Sequence, residues 1–345
     1  MTKPMTNNSF DFFKRVLIVI GVVVTPVLIW YLFGVVLMVF GAIIVAMLLH
    51  LGAQPLQRWL RLPQWAALIV SGLIILFVIA GTAYLFGSQI SGQFQDVMAR
   101  TGAATDSIQK SLQGTTTGRY LLKHMSSGNL SLADVLPGLV KLSMTFVEGV
   151  IIMIICGAYM AAQPGLYRKG LIWLFPPRHH ARAAEIFDGI AEALRLWLLG
   201  QLIEMFVIGV LCALAVWAIG VPAPLALGLI AGIGEFIPYL GPFLAAIPAI
   251  LVALTQNPTM ALWTAFAYLV IHQIEGNLVA PLIQRRMVEI PPAVMLLGIA
   301  AISYLFGAIA IIFAAPIAVV IFAALNLIYV RDTLHEKTAL TKKLS

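Results

Sequence analysis

The chain has 345 residues, of which 61% are hydrophobic and only 10% charged, against about 45–50% and about 25% in ordinary globular chains. So few polar side chains cannot cover a water-facing surface, which excludes a cytosolic enzyme, a secreted disulfide scaffold and a disordered polar chain. The 21 Lys and Arg against 14 Asp and Glu give a net charge of +7, and the placement of those residues decides whether the excess reports a nucleic-acid partner or an orientation in a membrane.

A hydrocarbon layer of about 30 Å takes roughly 20 helical residues to cross. Lys3, Lys14 and Arg15 precede an apolar stretch longer than a signal peptide's core, so the first hydrophobic segment is expected to stay as an anchor. The run Val16 to Leu49, 34 residues long, is too long for one pass and predicts a hairpin broken at Gly34 and kinked at Pro26. With a crossing at 66 to 88, it makes an N-terminal membrane unit, 1–87. Residues 88–143 are rich in Ser, Thr, Gly and Gln, with Ile90, Phe94, Val97 and Ile108 at helical spacing, and read as amphipathic helices outside the lipid on the periplasmic side.

The unit 144–330 is the expected transport core. It opens with a crossing at 144 to 162 and a cytoplasmic helix, 178–196, in which Arg182, Glu185, Asp188, Glu192 and Arg195 are spaced to pair opposite charges. A crossing at 197 to 219 follows, with Trp197 and Trp217 at its ends as interfacial belt residues. From 223 to 255 the chain stays apolar but is interrupted by Pro222, Pro224, Pro238, Pro242 and Pro248 and by Gly228, Gly232, Gly234 and Gly241, which predicts a re-entrant or broken hairpin. A crossing at 259 to 281 comes next, then two passes within Pro292 to Val330 that turn near Tyr304 to Gly307, and a basic tail, 331–345. The fold class is therefore all-α, a polytopic integral membrane protein of about eight membrane helices. Cys156 and Cys212 lie inside apolar runs and read as small buried hydrophobes; neither cofactor nor metal is expected from motif spacing.

With the N-terminus in the cytoplasm, 16 of the 21 Lys and Arg fall in inner segments. The other five (Arg100, Lys110, Arg119, Lys123, Lys141) lie in the long polar stretch, whose charge has little say in orientation. Both termini are thus expected in the cytoplasm. The positive excess reads as topology plus lipid contact of the tail, with no nucleic-acid partner.

Ionisable side chains inside a membrane are expensive and tend to mark pathways. Here they are Glu204, Glu235, His272 and Glu275, with Glu148 near a boundary. Gly232-Ile-Gly-Glu-Phe-Ile-Pro-Tyr-Leu-Gly-Pro242 cannot be one continuous helix, so Glu235 sits either at the tip of a broken hairpin facing a translocation route or in a surface loop as a helix cap. On the next span His272 and Glu275, three apart, share a face, as do Gln273 and Asn277, four apart. This cluster suits a polar solute or a proton relay through His272; the plainer alternative pairs Glu275 with Arg285 or Arg286 as an anchor. Gln201 and Glu204 share another face, as substrate contacts or as polar links between helices.

Together, the 232–242 run, the His272-Gln-x-Glu-x-Asn-x-x-x-Pro281 run, the later Pro291 and the Phe175-Pro176…Gly200-Gln201 region resemble the autoinducer-2 exporter (AI-2E) family of permeases, in the right order and over essentially the whole chain. Gln284-Arg285-Arg286 departs from the glycine-containing turn expected there. The resemblance implies a multi-pass transporter of the bacterial inner membrane, some members exporting the polyhydroxylated signal autoinducer-2 and others resembling Na+(Li+)/H+ antiporters. The sequence has no Gly-x-x-x-x-Gly-Lys-Ser/Thr loop, so a secondary mechanism is expected. Candidate pathway residues are Gln201, Glu204, Glu235, Pro238, Tyr239, Gly241, Pro242, Gln273, Glu275, Asn277 and Pro281, with His272 as proton relay. Expected partners are membrane lipid, a small polar solute or a monovalent cation or proton, and further copies of the chain. The chain carries no His-Glu-x-x-His motif, which disfavours an intramembrane enzyme. A structural or regulatory membrane protein is the other alternative.

Overall fold

The computed structural model describes residues 8–82, 84, 148–284, 291–307 and 310–330. The described residues are helical, as expected. Helix α1 spans Asn8–Leu60, α2 Gln64–Thr82 and α3 Glu148–Ala162, and α4 Pro164–Trp173. A single 3-10 turn, Pro177–His179, leads into α5, His180–Ile219. Then come α6, Pro224–Gly234, α7, Gly241–Gln256, and α8, Pro258–Ile274. Helix α8 runs on through a π-helical turn, Glu275–Val279, into Ala280–Gln284. Helices α9, Pro292–Phe306, and α10, Ile311–Leu325, complete the core, α10 ending in a second π-helical turn at Asn326–Val330.

Two expectations are corrected. Helix α1 passes unbroken through Pro26 and Gly34, so residues 16–49 form no hairpin. A glycine inside a helix costs only about 1 kcal/mol, and in lipid any break would expose backbone groups with no water to bond them. The expected cytoplasmic helix 178–196 and the crossing at 197 to 219 are likewise one helix of 40 residues. By length and composition, five helices among the described residues can cross a membrane, or six if α3 and α4, bent by 92° at Gln163, count as one span. The difference from about eight comes from the continuous α1 and from short helices such as α9, whose 15 residues reach only about 22 Å. The periplasmic-side segment 88–143 and the tail 331–345 lie outside the described residues.

The chain's breaks follow from its residue types. Pro164 cannot continue α3 and starts α4. Gly220, at φ +87°, ends α5 with its N–H bonded to the Trp217 carbonyl, and the Val221 N–H reaches the Val216 carbonyl at 2.9 Å. Asn257 caps α8, its side-chain oxygen accepting from the Met260 N–H at 2.7 Å, with Pro258 in the first turn. The turn near Gly307, between α9 and α10, falls where the sequence placed it.

Helix α5 is the axis against which α6, α8 and α10 pack. Helix α6 approaches it so closely that a Cβ at Gly232 would lie 2.6 Å from the Met205 carbonyl oxygen. Ile208, Cys212 and Val216 of α5 form one buried cluster with Leu227 and Ala231 of α6 and Tyr268 and Ile271 of α8. A second cluster joins Trp197 and Leu198 to Ile44 of α1 and to Phe313 and Val319 of α10. Apolar side chains such as Phe206, Leu214 and Leu262 point outward, as a lipid-facing surface requires.

The polar end of α5 is tied down by charge. Arg182 pairs with Glu185, and Arg195 with Glu192 at 3.1 Å, as the spacing predicted; Asp188 instead accepts from Arg168 of α4, 2.7 Å from its Nε. Arg182 also donates to the Leu327 carbonyl at 2.7 Å, and Arg195 to Gln54 of α1 at 3.1 Å. Trp217 is exposed, as a belt residue should be, but Trp197 is only 7% exposed and belongs to the interior. It sits mid-helix because α5 begins 17 residues earlier, at His180. Cys212 is buried, whereas Cys156 faces outward, contrary to the reading of both as buried.

Candidate functional site

The break in the 223–255 segment falls between α6 and α7. Glu235 to Leu240 leave helical geometry, and Tyr239 adopts φ +67°, the left-handed region that side chains other than glycine's seldom occupy. Two hydrogen bonds shape the turn, from the Ile237 N–H to the Gly234 carbonyl at 3.0 Å and from the Gly241 N–H to the Ile237 carbonyl at 2.8 Å. Its neck is tight: a Cβ on Gly241 would overlap the Gly234 carbonyl oxygen, so only glycine fits. Gly241 therefore acts in closing the hairpin and does not line the cavity described next.

Behind this turn lies a cavity of about 780 Å³ bounded by α5, the turn, α7, α8 with its π-helical extension, and Met295 of α9. Of the expected pathway residues, Gln201, Glu204, Glu235, Pro238, Tyr239, Pro242, Gln273, Glu275 and Pro281 line it, and so does His272. Stretches far apart in sequence thus converge on one chamber. Asn277 does not line it; the side chain is exposed and donates to the Gln273 carbonyl at 2.8 Å.

Glu235 is 2% exposed, so it is no surface helix cap. Its Oε2 has no hydrogen-bond partner among the described residues. Its backbone carbonyl accepts from Nε2 of Gln201 at 2.8 Å, a bond between two buried groups that fastens α5 to the hairpin tip. Trp197, one turn before Gln201, sets its ring edge-on to Phe236 at 6.1 Å between centroids. The polar-link reading of Gln201 and its cavity-lining position both hold.

On α8, Nδ1 of His272 lies 2.6 Å from Oε2 of Glu275, so the shared face read from the sequence is a direct contact. Nε2 of His272 is buried and unpartnered. The partner proposed for Glu275 in the plainer reading, Arg285 or Arg286, lies outside the described residues. Glu235, His272 and Glu275 each offer one ligand atom, all within 4.8 Å of one another, a group able to hold a metal ion.

The π-helical turn explains why this cluster sits where a helix would ordinarily close its hydrogen bonds. Pro281 has no N–H to give to residue 277, and its ring would clash with that carbonyl in an α-helix. The chain widens instead, the Ala280 N–H reaching the Glu275 carbonyl five residues back. Such turns recur at functional sites.

Sequence reasoning missed Tyr268 and Trp197. Tyr268 is fully buried, lines the cavity with an unpartnered hydroxyl, and packs its ring 6.1 Å from His272. Its position one helical turn before His272 was the available signal.

Comparison with known proteins agrees with this architecture. The profile of the AI-2E family transporter matches residues 17–329. YueF of Bacillus subtilis, provisionally named a transport protein, is 26% identical over 303 residues, 82% of each chain. YrrI of the same organism, also provisionally named a transport protein, is 32% identical over 158 residues, 46% of this chain and 45% of its own length, so this match spans less than half of that relative. PerM of Escherichia coli, provisionally named a permease, is 26% identical over 152 residues, 44% of this chain and 43% of its own. The helices, the breaks and the whole-length match lead to one conclusion: the chain belongs to the AI-2E family of membrane transporters.

Proposed function

We propose that the chain is a secondary transporter that exports a small polar solute, autoinducer-2 or a similarly hydroxylated molecule, across the bacterial inner membrane. The observation that carries this reading is the convergence of Gln201, Glu204, Glu235, His272, Gln273 and Glu275 on one cavity in an otherwise apolar helical assembly. A volume of about 780 Å³ falls in the range of small-molecule sites. Gln201, Gln273 and Tyr239 supply hydrogen-bonding groups to a hydroxyl-rich solute. The turn at 235–240 is the part of the wall best suited to move, because it is joined to α6 and α7 by a single tight neck. This reading keeps the re-entrant hairpin, both termini in the cytoplasm, and assembly with further copies of the chain.

A second reading, antiport of Na+ or Li+ against protons, is favoured by one specific feature. Three carboxylates, Glu204, Glu235 and Glu275, face the cavity, and no lysine or arginine is among the residues lining it. Such a chamber favours cations. Purified protein in liposomes separates the two. Solute export predicts uptake of labelled autoinducer-2 into inverted vesicles, and antiport predicts that an imposed sodium gradient dissipates a pH gradient. Wild-type vesicles that move neither a polar solute nor a cation would refute both.

A further inference from the structure

We infer that Glu235, His272 and Glu275 form a binding site for a divalent transition-metal ion in the wall of the cavity. The three side chains come from two elements, the hairpin tip and the far end of α8, yet their ligand atoms lie within 4.8 Å of one another. A metal bonded at about 2.0–2.2 Å to an imidazole nitrogen and two carboxylate oxygens holds those atoms roughly 3.4 Å apart. Side-chain rotations of about an ångström therefore close the site.

Two further observations point to a ligand. Glu235 is almost wholly buried, and its Oε2 has no partner among the described residues. On the other side of the cluster Nε2 of His272 is also buried and unpartnered. Buried polar atoms are nearly always bonded, and two orphans flanking one cluster are accounted for together by a shared ion. The imidazole is already oriented for it. With Glu275 ionised, Nδ1 carries the proton toward Oε2 at 2.6 Å, leaving the Nε2 lone pair free. Metal-binding histidines are commonly held by such a carboxylate contact.

The donor set selects the ion class. Sodium and lithium are hard cations best served by oxygen alone, whereas one imidazole with carboxylates suits zinc, cobalt, iron or manganese in the divalent state. Two carboxylates balance the charge of such an ion, and no lysine or arginine lines the cavity to compete with it.

The proposal concerns equilibrium binding and stands whether or not the cavity moves solute. Its test is titration of the tag-free full-length protein, stripped of metal in detergent, with Co2+ followed by visible absorption. Expected are one saturable equivalent with ligand-field bands, displacement by Zn2+ and none by excess Na+. Glu235→Gln, His272→Asn and Glu275→Gln should each weaken binding at least about tenfold, and Glu192→Gln, an exposed carboxylate elsewhere on α5, should leave it unchanged. X-ray absorption of the Zn2+-loaded wild type gives a readout independent of any variant's folding, with one nitrogen and at least one carboxylate oxygen in the shell. Absence of stoichiometric Co2+ binding, displacement by Na+, a shell without nitrogen, or equal affinity in all three variants would overturn the proposal.

Discussion

Gln201→Leu tests how the hairpin tip is held. In the wild type Nε2 of Gln201 donates to the Glu235 carbonyl at 2.8 Å, and Gln201 is only 5% exposed. Leucine has nearly the same volume but no donor, so the carbonyl stays buried without its partner. An orphaned buried carbonyl costs about 1–3 kcal/mol, well above the roughly 1 kcal/mol net value of an ordinary hydrogen bond, because nothing replaces the lost partner. Two escapes exist: a water enters from the cavity, or the tip moves away from α5. If the tip moves, the fraction of molecules with Glu235 held in place falls about 5- to 150-fold. Two assays read this, thermal unfolding in detergent and vesicle flux per reconstituted molecule. The expected result is a lower unfolding midpoint together with reduced flux, while Gln201→Glu is worse in both when ionised, its carboxylate facing the carbonyl. A Gln201→Leu protein with wild-type midpoint and wild-type flux would refute the claim that this bond fastens the tip.

Other expectations follow from the same geometry. Gly241→Ala places a methyl group on the Gly234 carbonyl, where backbone must yield; it should destabilise by at least about 1–3 kcal/mol, seen as loss of monodisperse protein or a lowered midpoint. Trp197→Ala removes a buried ring packed on Phe236 and should cost about 3–5 kcal/mol, checked by unfolding in the same detergent. Glu235→Gln keeps shape and removes charge; flux in liposomes should fall to background while the protein remains folded. By contrast, Asp188→Asn breaks an ion pair whose two side chains are about half exposed, so it should change stability by less than about 1 kcal/mol, and raising the salt concentration should shrink even that difference.

The hairpin was legible because proline and glycine act locally. Pro238, Gly241 and Pro242 within a few residues forbid a helix whatever surrounds them, and the helices stop there. The His272 and Glu275 contact was legible for a similar reason, since a spacing of three on a helix needs no tertiary information. The same rule failed at Asn277. The π-helical turn alters the spacing beyond Glu275, and Asn277 bonds the Gln273 backbone away from the cavity. Long apolar runs carry little information about breaks, because lipid favours any continuous helix; Gly34 alone was too weak a signal for the turn read into 16–49. Trp197 was misread because an aromatic residue at the edge of an apolar run looks the same whether the helix ends there or continues, and α5 continues. Tyr268 went unnoticed among apolar neighbours, where a tyrosine carries no mark that its hydroxyl faces a chamber.

The widened turn at Glu275–Val279 also bears on how this region tolerates change in length. A π-helical turn holds one residue more than the α-helical turn it replaces. Deleting one residue there would restore ordinary winding, and each residue of an α-helix turns about 100° around the axis. Everything from Ala280 onward would then swing by that angle relative to His272, taking Ala280 and Pro281 off the cavity wall. Substitutions within the turn leave this phase intact, whereas insertions or deletions reset it. The segment is thus a rotational gauge between the two ends of α8, sensitive to the number of residues even where it is indifferent to their identity.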